Sequence, residues 1–274
     1  MLQYEIIKKI SQGNFGVLYK GRNIITNEFV AIKIEQRSNM SSLKNEARIL
    51  KYLGNMEGFS QLKWYENMLE NSFIVMSLLG PSITSMVHKY SGFKFNNVLS
   101  IGIQMITRLK QLHNKLIIHR DIKPSNFVVG LNNKSSTIYL IDFGFAKNYM
   151  KNNVHIENCF CTEIVGSNTF VSLNVHANNK PSRRDDIESC LYVMLYMYFG
   201  KLEWSNYTDI DNIIKTKKNI IYIHDIPICI KNAIIYVQNI HFSSVPDYDY
   251  IIEELLKSKT SNDVLDEFEW NKYK

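Results

Sequence analysis

The chain has 274 residues, 45% of them apolar, and a net charge of +6. That length buries a sizeable core, and the apolar share is ordinary for a globular domain rather than a disordered or fibrous chain. A balance this mildly basic suits an anionic partner without naming one, and Lys215-Thr216-Lys217-Lys218 is too short to read as a nucleic-acid-binding arm or a localisation signal.

Four cysteines are too few for a disulfide scaffold in a chain this long. Cys159 and Cys161 have no matching His/Cys pair at zinc spacing, so free thiols in a reducing compartment are expected. The start, Met1 to Glu5, lacks a basic and then apolar run, so no signal peptide is expected. The most apolar run, Leu191 to Phe199, is about half the length that spans a bilayer and reads as a buried helix.

The first part of the chain reads as strands: Tyr4 to Ile10, Val17 to Arg22 and Phe29 to Ile34. Ser41 to Leu53 follows as a helix, with Leu43, Ala47, Leu50 and Leu53 at helical spacing and Ser41 or Ser42 as N-cap. Leu62 to Tyr65 and Ser72 to Leu78 are two further strands. After Gly80-Pro81 the texture turns helical, led by the amphipathic stretch Asn96 to His113. Two short β pieces, Phe127 to Val129 and Ile138 to Ile141, flank a polar turn, and helices dominate from there on. The composition shift puts a lobe boundary at 79/80.

Four motifs carry chemistry, in a fixed order. Ser11-Gln12-Gly13-Asn14-Phe15-Gly16-Val17 joins two strands, and glycines at Gly13 and Gly16 allow close backbone approach to a polyphosphate. Taken alone, the same pattern is an ordinary hairpin, and Ser11 stands where the kinase glycine loop has Gly. Val30-Ala31-Ile32-Lys33 lies on the third strand, where Lys33 suits the α- and β-phosphates and Glu46 on the next helix is its partner. His119-Arg120-Asp121-Ile122-Lys123-Pro124-Ser125-Asn126 is far more specific, departing from the kinase catalytic loop only by Ile for Leu. Its spacing sets Asp121 to accept a hydroxyl proton, Asn126 to reach magnesium, and Lys123 to neutralise the transferring phosphoryl group. Asp142-Phe143-Gly144 follows, with Asp142 placed to hold magnesium at the β- and γ-phosphates. Phosphoryl transfer asks mainly for positioning and charge neutralisation, and every charged part it needs is present.

Further stretches narrow the likeness. Leu78-Leu79-Gly80-Pro81-Ser82, the run Phe127-Val128-Val129-Gly130, Ser172-Leu173-Asn174, Ser182-Arg183-Arg184-Asp185-Asp186-Ile187-Glu188-Ser189 and Trp204 together resemble the casein kinase 1 family. The likeness runs from about Tyr4 to Trp270.

The resemblance implies an α+β, bilobal kinase fold: an N-lobe over 1–79, rich in β-structure, a helical C-lobe over 80–274, and no regulatory tail. It implies ATP and Mg2+ as cofactors, with adenine held by Ile10, Val17, Ala31, Val128 and Ile141. Met76 falls at the gatekeeper position and Ser77 to Leu79 at the hinge, Ser77 replacing the family's Glu. It also implies that Asp186 braces the catalytic loop through backbone N–H groups, and that Arg183 and Arg184 are structural. Thr169 stands where the family has an Arg that binds an anion upstream of the target Ser/Thr, and Lys217 and Lys218 match that site's other basic members.

The activity expected is transfer of the ATP γ-phosphate to Ser/Thr of protein substrates, acidic or pre-phosphorylated ones included. No nucleic acid is required, no membrane is involved, and the chain is expected to be a monomer in the cytoplasm or nucleus. A nucleotide-binding pseudokinase scaffold is the alternative that intact Lys33, Glu46, Asp121, Asn126 and Asp142 argue against. A small-molecule phosphotransferase of kinase-like fold is the other, disfavoured by the Ser182–Ser189 signature and the long Asp142–Asn174 segment.

Overall fold

The computed structural model describes residues 3–13, 16–36, 42–68 and 70–259. Asn14 and Phe15 of the glycine loop, Ser41 as an N-cap, and the last stretch of the likeness, up to Trp270, lie outside the described residues. The chain divides into two compact units: Met1–Gly80 with Val128–Ala146, and Pro81–Phe127 with the described residues from Lys147 onward. This grouping differs from a simple division at 79/80 by placing Val128–Ala146 with the first unit.

The first unit is built on strands β1 (Tyr4–Gly13), β2 (Gly16–Asn23), β3 (Phe29–Gln36), β4 (Leu62–Asn67) and β5 (Asn71–Ser77), with helix α1 (Ser42–Leu53) between β3 and β4. The five strands form one antiparallel sheet in the order β1-β2-β3-β5-β4. Strand alternation sends Val30 and Ile32 of β3 to one face, where they pack with Val75, Tyr4 and Tyr19. Ala31, Lys33 and Glu35 alternate with them. Gly16 has φ +115°, and a Cβ there would lie 2.0 Å from the Ile34 carbonyl oxygen, so only glycine fits where β1 turns into β2. A Cβ on Gly13 would meet nothing within 4 Å, so the protein itself places no such demand there.

Helix α1 turns Leu43, Glu46, Ala47, Leu50 and Leu53 inward, the spacing of one helical face. Its start is tied to β3: the Glu35 carboxylate accepts from Ser42 Oγ at 3.0 Å and from the Leu43 backbone N–H at 3.1 Å. An acceptor at these otherwise unpaired N–H groups caps the helix, and its negative charge suits the helix N-terminus. The segment 128–146 joins this unit through backbone bonds: Gly80 N–H donates to the Val129 carbonyl (2.8 Å) and Leu140 N–H to the Gly58 carbonyl (2.9 Å).

The second unit is helical. It contains α2 (Ile83–Tyr90), α3 (Phe95–Asn114), the short strand β6 (Ile117–Ile118), and, beyond the hairpin of β7 (Phe127–Val129) and β8 (Ile138–Leu140), strand β9 (Lys147–Asn148), which pairs with β6. A small β-ladder of β10 (Met150–Lys151) and β11 (Val154–His155) precedes α4 (Leu173–His176), α5 (Arg183–Phe199), α6 (Ile210–Asn219), α7 (Ile228–Gln238) and α8 (Tyr248–Lys257). Helix α3 packs on α5 and α8, and α5 on α7. The run Leu191–Phe199 is the C-terminal half of α5, with Leu191 to Leu195 and Met197 buried. Among the described residues, no helix is long and apolar enough to cross a membrane. The four cysteines are free thiols, Cys190 and Cys229 buried and Cys159 exposed. The β-rich first unit and helical second unit make up the α+β kinase architecture the sequence led us to expect.

Candidate active site

In the first unit the Lys33 ammonium stands between two carboxylates. Its Nζ lies 2.7 Å from Glu46 Oε2 and 3.0 Å from Asp142 Oδ1. Burial alone would depress this lysine, but the pull of Glu46 and then Asp142 outweighs it and raises the ammonium above its ordinary range. Glu46 is 2% exposed, so its reach extends to Lys33 rather than to solvent. Asp142 has φ +66°, a conformation that a non-glycine side chain enters at a cost of about 1–3 kcal/mol. Surrounding bonds hold it there: Asn45 Nδ2, next to Glu46 on α1, reaches the carbonyls of Phe143 (3.0 Å), Gly144 (3.2 Å) and Ala146 (2.9 Å). Helix α1 therefore fixes both the lysine's partner and the backbone that follows Asp142.

The apolar residues expected around adenine also belong to the first unit. Ala31 and Met76 are buried and face each other in the β3–β5 register, and Val128 is buried as well. Val17, Leu79 and Ile141 are half-buried. Ile10 differs from them, 47% exposed near the end of β1.

In the second unit the catalytic-loop residues are gathered tightly. Lys123 Nζ is 2.6 Å from Asp121 Oδ2, and Asn126 Nδ2 donates to the Asp121 carbonyl at 2.8 Å. The Asn126 amide NH2 is engaged in this way, so its oxygen is the atom it offers a cation. An amide oxygen is a donor of the hard kind magnesium takes, as is the carboxylate of Asp142 in the first unit. Arg120, the residue before Asp121, has φ +68°.

This left-handed turn is held by Asp186 at the start of α5. Its carboxylate accepts from the backbone N–H of His119 (2.7 Å) and of Arg120 (2.8 Å), and His113 Nε2 lies 3.0 Å away. Burial would push the Asp186 carboxyl up, but the hydrogen bond from His113 and those to the backbone bring it below the usual range. The bracing implied by the resemblance is present in these bonds. Arg183 and Arg184 are structural too. Arg183 donates to the carbonyls of Ser243 (2.7 Å) and Ser244 (3.1 Å) and lies over the Tyr149 ring, while Arg184 donates to the Ile240 carbonyl.

One expectation is corrected. Lys217, implied as part of an anion site with Lys218, is completely buried. Its ammonium donates to the carbonyls of Val171 (2.7 Å) and Asn168 (3.1 Å), sits 3.0 Å from His176 Nε2, and lies over the Tyr192 and Trp204 rings. Burial lowers its pKa to about 7. Position 217 falls on the inward side of α6, with Ile213 one turn before it, so the helix period carries the side chain into the core. Lys218, one residue on, is exposed. The Thr169 carbonyl accepts from Trp204 Nε1 at 2.7 Å.

Two positioning residues had no motif to announce them. Glu35 shares the Lys33 face of β3 by the two-residue strand period, and that spacing was the available signal. Asn45 had none beyond its place beside Glu46.

A family model described as "Protein kinase domain" matches residues 4–266. The chain is 36% identical over 264 residues to "Casein kinase I homolog RAG8" of Kluyveromyces lactis, covering 90% of this chain and 49% of that protein. It is 33% identical over 266 residues to "Casein kinase I homolog 3" of Schizosaccharomyces pombe, covering 91% of this chain and 60% of that protein. The chain thus spans about half to three-fifths of the length of these curated relatives. With the family model matched along nearly its whole length and casein kinase I homologs among its relatives, this chain belongs to the protein kinase family.

Proposed function

We propose that the protein is an ATP-dependent Ser/Thr protein kinase of casein kinase 1 type. The observation that carries the reading is the Lys33 ammonium held between Glu46 and Asp142 at 2.7 and 3.0 Å. A pseudokinase scaffold has no need of so complete a charge arrangement. In this reading Lys33 orients the α- and β-phosphates, and Glu46 keeps its ammonium in place without touching the nucleotide. Gly13 and Gly16 let the loop backbone approach the phosphates, while Ile10, Val17, Ala31, Met76, Leu79, Val128 and Ile141 contact adenine. Magnesium would be held by Asp142 and Asn126 and would neutralise charge on the β- and γ-phosphates.

Asp121 accepts the proton of the substrate hydroxyl as its oxygen forms a bond to the γ-phosphorus. The bond from that phosphorus to the bridging oxygen breaks, and ADP leaves with the electron pair. Lys123 Nζ, 2.6 Å from the Asp121 carboxylate, offsets charge on the transferring phosphoryl. Substrates are proteins with accessible Ser or Thr, acidic or pre-phosphorylated ones among them.

The test is incubation with radiolabelled ATP and magnesium against casein and a panel of small hydroxyl compounds. Labelled phosphoserine and phosphothreonine in casein, absent from Asp121→Asn protein, is the expected result. Label appearing only in small molecules, or none at all with nucleotide still bound, overturns it.

A further inference from the structure

In the second unit, residues 166–173 run close beside the catalytic loop. Gly166 has φ +109°, and a Cβ there would lie 2.8 Å from the Arg120 carbonyl oxygen and 3.7 Å from Asp121 Oδ1. The turn that follows closes on itself, with the Phe170 and Val171 N–H groups both donating to the Ser167 carbonyl, at 2.8 and 2.9 Å. The carbonyls of Asn168, Thr169 and Val171 are aimed at the core instead, where each needs a donor. Two side chains supply it. Lys217 Nζ reaches Asn168 and Val171 at 3.1 and 2.7 Å, and Trp204 Nε1 reaches Thr169 at 2.7 Å. Both are buried, and the ammonium lies over the Trp204 ring, so the two donors form one block. Beyond the turn, two buried carboxylates of α5 fasten the same stretch. Asp185 accepts from Ser172 Oγ at 2.6 Å, and Glu188 from the Leu173 N–H at 3.1 Å. Asn168 itself is exposed and Thr169 half-buried.

A buried ammonium is costly to take from water, and an apolar side chain of like volume often serves stability as well. Lys217 meets two carbonyls, the His176 imidazole and two rings, so what it adds beyond packing is geometric: it fixes two carbonyls three residues apart. We propose that Lys217 and Trp204 are positioning residues for the protein substrate, holding residues 168–171 from the core side so that a peptide lies along them within reach of Asp121. This rests on the assignment of the chain as a protein kinase. Without the brace, the segment spends part of its time displaced. Apparent affinity for peptide then falls with the fraction of protein that stays competent, and saturating peptide restores that form. Primed and unprimed peptides weaken alike, since Lys217 touches neither.

The test joins steady-state kinetics of the full chain on a serine-containing acidic peptide with hydrogen exchange of its backbone amides. Lys217→Met keeps an unbranched apolar body and removes the donors, while Trp204→Phe keeps a ring and removes the Nε1–H. Each should raise KM for the peptide about tenfold, with kcat and KM for ATP changed far less. Each should also speed exchange of the Phe170 and Val171 amides, which the turn protects. Ile251→Val, a cavity-making change at a buried position of α8, reports the effect of lost stability alone and should move neither quantity. If Lys217→Met does not fold, Trp204→Phe carries the test. Peptide KM unchanged in the folded variants, or raised equally by Ile251→Val, overturns the proposal and leaves the kinase assignment standing. So does a rise in KM for ATP as large as that for peptide. Wild-type protein that phosphorylates no peptide removes the kinase assignment and this proposal together.

Discussion

The two units hold their key carboxylates by different physics. In the first, Glu46 and Asp142 are held against a cation, Lys33, in a cluster of opposite charges. In the second, Asp186 is held chiefly by dipoles: the backbone N–H groups of His119 and Arg120 and the His113 ring. An ion pair can be broken at either end, and whichever partner remains is left charged and poorly solvated. A carboxylate that accepts backbone N–H bonds fixes chain conformation directly, which is how Arg120 stays at φ +68° beside Asp121. The first device sets the position of a charge, and the second sets the position of a loop.

The largest expected effect comes from the charges proposed to act on substrate and nucleotide. Asp121→Asn and Lys33→Met each lower kcat on casein by at least ~100-fold, with the fold retained by circular dichroism. Near wild-type rates in either variant would remove the kinase reading.

Asp186→Ala tests the loop-fixing device. It strands the N–H groups of His119 and Arg120, and at about 1–1.5 kcal/mol per lost bond the domain loses roughly 2–3 kcal/mol. Chemical denaturation measures this. The contrast between the units fails if Asp186→Ala leaves stability intact and lowers only kcat.

Substrate choice comes next. Thr169→Arg supplies a guanidinium that grips a phosphate by paired hydrogen bonds. The preference for a phospho-primed peptide over its unprimed form should grow by about 5- to 30-fold in kcat/KM. Lys218→Ala should shrink that preference, and Lys217→Met should leave it unchanged, because the Lys217 ammonium is spent on the Val171 and Asn168 carbonyls. A priming preference that collapses in Lys217→Met would show that this ammonium reaches substrate.

Lys217 also makes a pH prediction. Its folded pKa, about 7, lies below the ordinary lysine value of 10.5, so the unfolded chain binds the proton more tightly. Its contribution is fully present above 10.5 and is lost as pH falls toward 7, with a slope of at most about 1.4 kcal/mol per pH unit. The wild-type Tm should therefore rise relative to that of Lys217→Met between pH 7 and pH 9. A constant difference across that range would mean that the buried ammonium stays charged.

The smallest effect belongs to a pair outside either unit's charge cluster. Arg22 and Glu5, each 43% exposed, meet at 2.6 Å across β1 and β2. Arg22→Ala should change stability by less than about 0.5 kcal/mol, since solvent and salt screen exposed ion pairs. A loss as large as that of Asp186→Ala would erase the distinction between buried and surface charge on which the comparison depends.

The sequence by itself determined the order and type of the elements and the short-range motifs. Alternation in Val30-Ala31-Ile32-Lys33 and the helical spacing of Leu43, Ala47 and Leu50 are local periodicities, so strand and helix were readable without a partner. The residues of Asp121 to Asn126 lie within a few positions of one another, so short-range contacts of Lys123 and Asn126 with Asp121 gather them. Only the tertiary structure decided where the remaining charges went. Asp186 reaches His119 across 67 positions, Asn45 reaches Phe143 across 98, and Lys217 reaches Val171 across 46. Residue type does not distinguish a lysine that meets carbonyls in the core from its neighbour Lys218, which is exposed. The helix phase of α6 and the packing of Trp204 and Tyr192 around the ammonium make that choice, because burial of a charge is decided by what surrounds it and not by its own type.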